Sequence, residues 1–333
     1  MKPTSLKTKI FLDSGNPNET REIIKLLGFL DGQTTNPTLI SKNPNARSRL
    51  EKGKGFTKEE IFKFYKEIVA EISGLIPNGS VSVEVYADKN TNHQEMLNQG
   101  REMFSWIPNA HIKYPTTYEG LTAAEQAVKE GMRINMTLCF SQEQAAAVYA
   151  ATIPYSSSES AQRTSREVNN EAMRQLNNQT TKDSSRQART INNGMYNRLG
   201  LKNVFVSPFI GRLDDRGENG MDLIKNIIRM YKSSDHHVEV LTASVRNLDH
   251  FLYAIKLESD IITAPFKILK EWAEKGMPMP DESFKYNASN LKPILYQKID
   301  LNKPWREYNI KHDLTNIGID KFSSDWNSLL LNK

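Results

Sequence analysis

The sequence predicts an α/β protein built as a closed (β/α)8 barrel, the TIM-barrel class. Three observations lead there. Short apolar runs alternate with amphipathic helical patterns, and the alternation repeats eight times before residue 276. A length of 333 residues can bury a full-sized core, as one large α/β domain or two smaller ones. The rival arrangement, an open doubly wound sheet, would be supported by a G-x-G-x-x-G turn after the first strand, and none is present.

Lys9 to Asp13 (KIFLD) reads as strand one. Asn16 then caps a helix with Pro17 at its first position, Glu19 three residues after the cap, and Ile23, Ile24 and Leu27 on its apolar face. Asp31 to Thr35 is strand two, stopped by Asn36-Pro37. A Lys/Gly-rich loop around Gly53 and Gly55 follows, and Thr57 caps a helix striped by Ile61, Phe64, Ile68 and Ile72. Val81 to Tyr86 is strand three, alternating Val81, Val83 and Val85 against Ser82 and Glu84. A helix from Met96 to Trp106 leads to strand four, His111 to Pro115, and then to a helix carrying Leu121, Ala124 and Val128. Ile134 to Leu138 is strand five, and Ser141 caps an Ala-rich helix. Strands six, seven and eight are Val204 to Ser207, Val238 to Leu241 and Asp260 to Thr263. Their helices are Met221 to Met230, Leu248 to Ile255 and Phe266 to Trp272.

Two segments break the alternation. Residues 154–200 hold seven serines and many Asn, Gln, Thr and Arg, the composition of a loosely held insertion before strand six. Val168, Ala172 and Leu176 could support one short helix within it. Residues 276–333 follow the barrel of residues 1–275 as a C-terminal extension. From Thr315 onward, Ile319, Phe322, Trp326, Leu329 and Leu330 are spaced for a helix packed on the barrel or on a neighbouring subunit.

Hydrophobic content of 38%, charged content of 25% and a net charge of +5 describe an ordinary soluble chain. The mild positive charge suits an anionic small substrate. No dense Lys/Arg stripe appears, so no nucleic-acid partner is expected. One cysteine, Cys139, rules out an internal disulfide and a cysteine-based zinc site; the six histidines show no metal-ligand spacing. The opening MKPTSLKTKIF lacks an apolar core and no run approaches membrane-spanning length. A cytoplasmic location without membrane association is expected, as is a homo-oligomer.

Barrels of this class place chemistry at the C-terminal ends of their strands. Asp13, Asn36, Glu84 and Lys113 fall there on strands one to four, and Asn135 and Thr137 on strand five. Ser207 and Arg212 follow from strand six and Arg246 from strand seven. Each also has a plainer reading. A lone strand lysine is usually solvated, Asp13 could end a turn, Asn36 before proline is a turn signal, and Arg212 could pair with Asp214 or Asp215. Glu84 is harder to dismiss, because helices cover the outer face of a parallel barrel strand. A set of one amine, two carboxylates, hydroxyls and two guanidiniums is costly to desolvate together.

The blocks LDSGNP, DGQTTNPTLI, VSVEV, IKYPTTYEGL, INMTLCFS, VSPFIGRLDD and ENGMDLI, in this order, resemble the transaldolase family. VLTASVRN and IITAPFKILKEW extend the likeness to residue 272. The resemblance implies a Schiff-base mechanism on a ketose phosphate, with sugar phosphates as ligands and no metal or organic cofactor. It implies Lys113 as the Schiff-base lysine and Asp13 as acid/base at the C4 hydroxyl. Glu84 would work through a catalytic water that Thr137 helps to hold. Asn36, Asn135 and Ser207 would line the sugar site, and Arg212 with Arg246 would hold the terminal phosphate. It also marks Phe209, where the related fructose 6-phosphate aldolases carry a tyrosine, and Glu84, where they carry an amide. Three readings follow: a transaldolase moving a dihydroxyacetone unit between sugar phosphates, an aldolase releasing free dihydroxyacetone, and a barrel that binds sugar phosphate without catalysis.

Overall fold

A computed structural model describes residues 2–153 and 202–331. Eight parallel strands close into a barrel in chain order: β1 (Lys9–Asp13), β2 (Gly32–Thr34), β3 (Ser80–Glu84), β4 (Ala110–Pro115), β5 (Ile134–Cys139), β6 (Val204–Pro208), β7 (Val238–Thr242) and β8 (Ile261–Pro265). The helices surrounding them begin with α1 (Pro17–Leu27), α2 (Pro37–Ser41), α3 (Pro44–Glu51) and α4 (Lys58–Leu75). Next come α5 (His93–Phe104), α6 (Tyr118–Lys129), α7 (Gln142–Ala151) and α8 (Ile210–Asp214). The remainder are α9 (Gly220–Tyr231), α10 (Leu248–Lys256), α11 (Phe266–Glu274) and α12 (Asp313–Asn327). The polar segment 154–200, with its expected helix through Val168, Ala172 and Leu176, lies outside the described residues. Among the described residues no helix is long and apolar enough to cross a membrane.

Parallel pairing explains why strands such as β3 and β5 are buried along their whole length. The barrel interior is filled from below. Lys9 pairs with Glu239 at 2.6 Å near the lower rim, and above them Phe11 meets Phe205 edge to face while His111 stacks on Phe205. Gly32 makes room for this plug, since a Cβ there would stand 2.5 Å from the Phe11 ring. Above this plug the upper, C-terminal end of the barrel holds Glu84, Lys113 and Asn135. Register sets their height: Glu84 lies beside Lys113, and Lys113 beside Asn135.

Local chemistry departs from the expected pattern in three places. Asn16 caps α1 as expected, but Glu19 does not close a capping box; its carboxylate accepts from Ser14 Oγ at 2.5 Å. Asn36-Pro37 and Asn43-Pro44 not only end what precedes them but start α2 and α3, each with an Asn side chain as cap and Pro in the first turn. Helix α12 begins two residues earlier than expected, capped by His312, and ends at Asn327. Leu330 lies beyond it, where Phe56 N–H donates to Leu329 O and Leu331 N–H to Phe56 O.

The C-terminal extension packs on this chain's own barrel. Its irregular part runs past α9 and α7, pairing Lys292 with Gly217 and Asn219, and Gln297 with Gln142. That cover accounts for α7 being buried nearly all round. Helix α12 then returns to the C-terminal end of the barrel strands, where Trp326 packs edge-on against Phe62 and Tyr65.

Candidate active site

A cavity of about 400 Å³ opens at the C-terminal end of the barrel. Asp13, Asn36, Lys113, Ser207, Phe209, Arg212 and Arg246 all line it, although they come from five different strands or the loops after them. Glu84, Asn135 and Thr137 do not line it. They stand behind Lys113 and Ser207 as a buried support layer.

Lys113 is 3% exposed, and its Nζ lies 2.8 Å from Glu84 Oε2 while donating to Thr35 O at 3.0 Å. The Lys113–Glu84 contact is an ion pair by distance but falls short of hydrogen-bond geometry at Oε2. Tyr65 locks this corner from behind: Glu84 N–H donates to its phenol, which bonds Thr35 Oγ1, and Thr35 Oγ1 in turn donates to Ser82 O. Burial pushes the Glu84 carboxyl above its ordinary pKa, against the opposing pull of Lys113. Burial likewise raises Asp13, with Lys113 and the Thr34 hydroxyl acting the other way.

Asp13 accepts from Thr34 Oγ1 at 2.7 Å, and Thr34 is in contact with Thr263 Oγ1 at 2.6 Å. Asn36 is a helix cap on the cavity wall. Its side chain caps α2 by accepting from Leu39 N–H, and the residue also lines the cavity. Asn135 is committed at both ends, donating to Ser82 Oγ and accepting from Ser207 Oγ at 2.6 Å, so it orients Ser207. Thr137 Oγ1 is buried without a partner among the described residues, two positions above Asn135 on the same strand face.

The opposite end of the cavity is cationic. Arg212 does not pair with Asp214 or Asp215. Asp214 meets His250 at 2.8 Å, and Asp215 is held by Arg246 at 2.6 Å. Arg212 instead lies between the rings of Phe209 and Phe322, with its buried Nη1 unpartnered. Burial, and then the neighbouring Arg246 guanidinium, lower its pKa; carboxylates at Glu84, Asp215 and Asp325 offset part of this. A site in which two guanidiniums repel each other gains most from an anion bound between them.

Several lining residues had no signal in the sequence reading. Thr34 sits inside the TTNP run, two residues before Asn36, and Ser244 inside TASVRN, two residues before Arg246. Ser244 adopts a left-handed backbone (φ 61°), as does Leu138 (φ 57°) beside a register shift in β5. Lys42 and, from α12, Lys321 and Phe322 complete the rim. Their positions follow from tertiary packing.

The family model described as Transaldolase/Fructose-6-phosphate aldolase matches residues 10–333. A "Probable transaldolase" of Dehalococcoides mccartyi is 30% identical over 321 residues, covering 96% of this chain and 99% of that protein. One from a Roseiflexus species is 30% identical over 96% of both chains. A third, from a Caulobacter species, is 33% identical over 80% of this chain and 98% of its own length.

Proposed function

Because the chain belongs to the transaldolase/fructose-6-phosphate aldolase family, we propose that it transfers a dihydroxyacetone unit from a ketose phosphate to an aldose phosphate through a Schiff base on Lys113. The observation that carries this reading is the placement of Lys113. It is buried against Glu84, near Asp13, at the head of a cavity whose far end presents the Arg212 guanidinium, its buried Nη1 without a hydrogen-bond partner among the described residues.

The chemistry follows from those neighbours. A lysine must lose its proton to attack a carbonyl, and Glu84, 2.8 Å away with its carboxyl raised by burial, is a suitable acceptor. Attack on the ketose C2 gives a carbinolamine. Loss of water, with Glu84 and the Thr137 hydroxyl relaying protons through a shared water, gives the iminium. Asp13 then takes the C4 hydroxyl proton, the C3–C4 bond breaks, and its electron pair moves into the iminium as an enamine. The first aldose phosphate departs. An acceptor aldehyde is attacked by the enamine carbon, its oxygen recovers the proton from Asp13, and hydrolysis frees Lys113. Arg212 and Arg246 hold the phosphate and set the register of the sugar against Lys113.

Phe209 favours transfer over simple aldol cleavage. Its phenyl ring lines the cavity and packs against Phe140 and the Arg212 guanidinium, offering neither a proton nor a hydrogen bond to the enamine. Release of free dihydroxyacetone from fructose 6-phosphate is therefore slow, and erythrose 4-phosphate raises turnover sharply. Phe209→Tyr increases the fraction released. Equal rates with and without acceptor in the unsubstituted protein would replace this reading with that of an aldolase.

A further inference from the structure

Helix α12 has two stripes. The apolar one carries Trp326 into the barrel's outer core, as the sequence pattern expects. The second runs through Gly318, Lys321, Phe322 and Asp325, spaced i, i+3, i+4, i+7 and hence on one face. That face meets the cavity. A Cβ at Gly318 would stand 2.7 Å from Arg212 Nη1, so the missing side chain lets the helix approach the guanidinium closely. Phe322 covers Arg212 at 5.3 Å, and Lys321 lines the same cavity as Arg212 and Arg246. Asp325 organises the stripe. Its Oδ1 lies 2.5 Å from Lys321 Nζ, and its Oδ2 accepts from the hydroxyl of Thr38, a cavity residue on α2.

Resting on the sugar-phosphate reading above, we infer that Lys321 is a further specificity-determining residue, a third cation for the anionic end of the substrate, held ready by Asp325. Charge balance supports the assignment. Asp215 already neutralises Arg246, and Asp325 lies close enough to act on Arg212. Without Lys321, Asp325 would offset Arg212 as Asp215 offsets Arg246, leaving Lys42, which acts on Asp13, as the other rim cation facing an arriving dianion. The lysine is 59% exposed at its side chain and has a flexible stem, so it can turn from Asp325 to an arriving phosphate without repacking α12.

The test compares fructose 6-phosphate with fructose as donor, using glyceraldehyde as an acceptor without phosphate. Lys321→Met lowers kcat/KM for the phosphorylated donor about fivefold, the scale of one exposed ion pair, and for fructose less than about twofold. Lys321→Arg restores the phosphorylated donor, and the loss in Lys321→Met shrinks as potassium chloride is raised, because an exposed charge is screened. The double variant Lys321→Met/Asp325→Asn recovers only in part, because it restores the charge balance around Arg212 but not the lysine's contact with phosphate. Equal losses on both donors, no loss, or full recovery in the double variant would each overturn a direct role for Lys321. Borohydride trapping on Lys113 is followed throughout. If the unsubstituted protein fails to trap donor, the Schiff-base reading itself has failed, which is a separate outcome from an unshifted Lys321→Met.

Discussion

Replacing Lys113 by Met removes the amine and leaves Glu84 buried behind the cavity, 4% exposed and without its ion-pair partner. At 2.8 Å the attraction being lost is about 6 kcal/mol at an effective dielectric of about 20. Breaking a buried pair by deleting one partner costs about 3–5 kcal/mol in practice. The carboxylate can escape part of that cost by taking up a proton. Its pKa in the folded protein is already raised by burial and opposed by Lys113, so deleting the lysine raises it further. A group with a folded pKa above its unfolded value binds more protons when folded. Its contribution to stability is fully present below the unfolded pKa and is lost as pH rises through the folded one. Asp13, also raised by burial and opposed by Lys113, shifts in the same sense. Lys113→Met is therefore least destabilised near the ordinary carboxylate pKa and increasingly so as pH rises above it, with a limiting slope of about 1.4 kcal/mol per pH unit for each group. Urea unfolding at several pH values, followed by tryptophan fluorescence, measures this directly. Adding Glu84→Gln to the variant removes the Glu84 part of the dependence. A destabilisation that does not vary with pH, or none at all, would show that the pair sits in a well-solvated site and refute the argument from burial.

Two further outcomes follow from the same geometry. Arg212→Ala raises KM for phosphorylated donors, at a cost of about 2–5 kcal/mol for truncating one side of a desolvated charge contact, and discriminates far less against fructose; equal losses on both would make Arg212 structural. In the pH profile of kcat/KM, the acidic limb lies above the ordinary carboxylate range, since Asp13 and Glu84 must be ionised to act as bases and burial raises both. An acidic limb at the ordinary carboxylate pKa, unmoved by Asp13→Asn or Glu84→Gln, would remove both from the proton-transfer steps.

Much of this architecture was legible because it is written locally. Strand positions follow from runs such as Lys9–Asp13 and Ser80–Glu84, and the rule that barrels work at strand ends points to Asp13, Glu84 and Lys113. Register and depth were not local. Nothing near Asn135 indicates that it is spent on Ser82 and Ser207 rather than facing the cavity, because that depends on how β3, β5 and β6 come together in the closed barrel. Tyr65 reads as one more residue of an amphipathic helix, yet its phenol ties Glu84 to Thr35. Helices α2 and α3 were hidden because Asn-Pro marks a turn and a helix start alike, and elements of five and eight residues are too short to show a period. Lys321 was masked by its neighbours, since the apolar stripe of α12 explains the helix without it. Its role emerges only once Gly318 is seen against Arg212.

The central claim, a Schiff base on Lys113, is tested most directly by borohydride reduction in the presence of fructose 6-phosphate, followed by intact mass and peptide mapping. The account predicts a stable adduct of one three-carbon or six-carbon unit per chain on the peptide containing Lys113. It also predicts no adduct in Lys113→Arg, whose guanidinium stays charged and cannot form an imine. An adduct on any other lysine, or none on the unsubstituted protein, would contradict it.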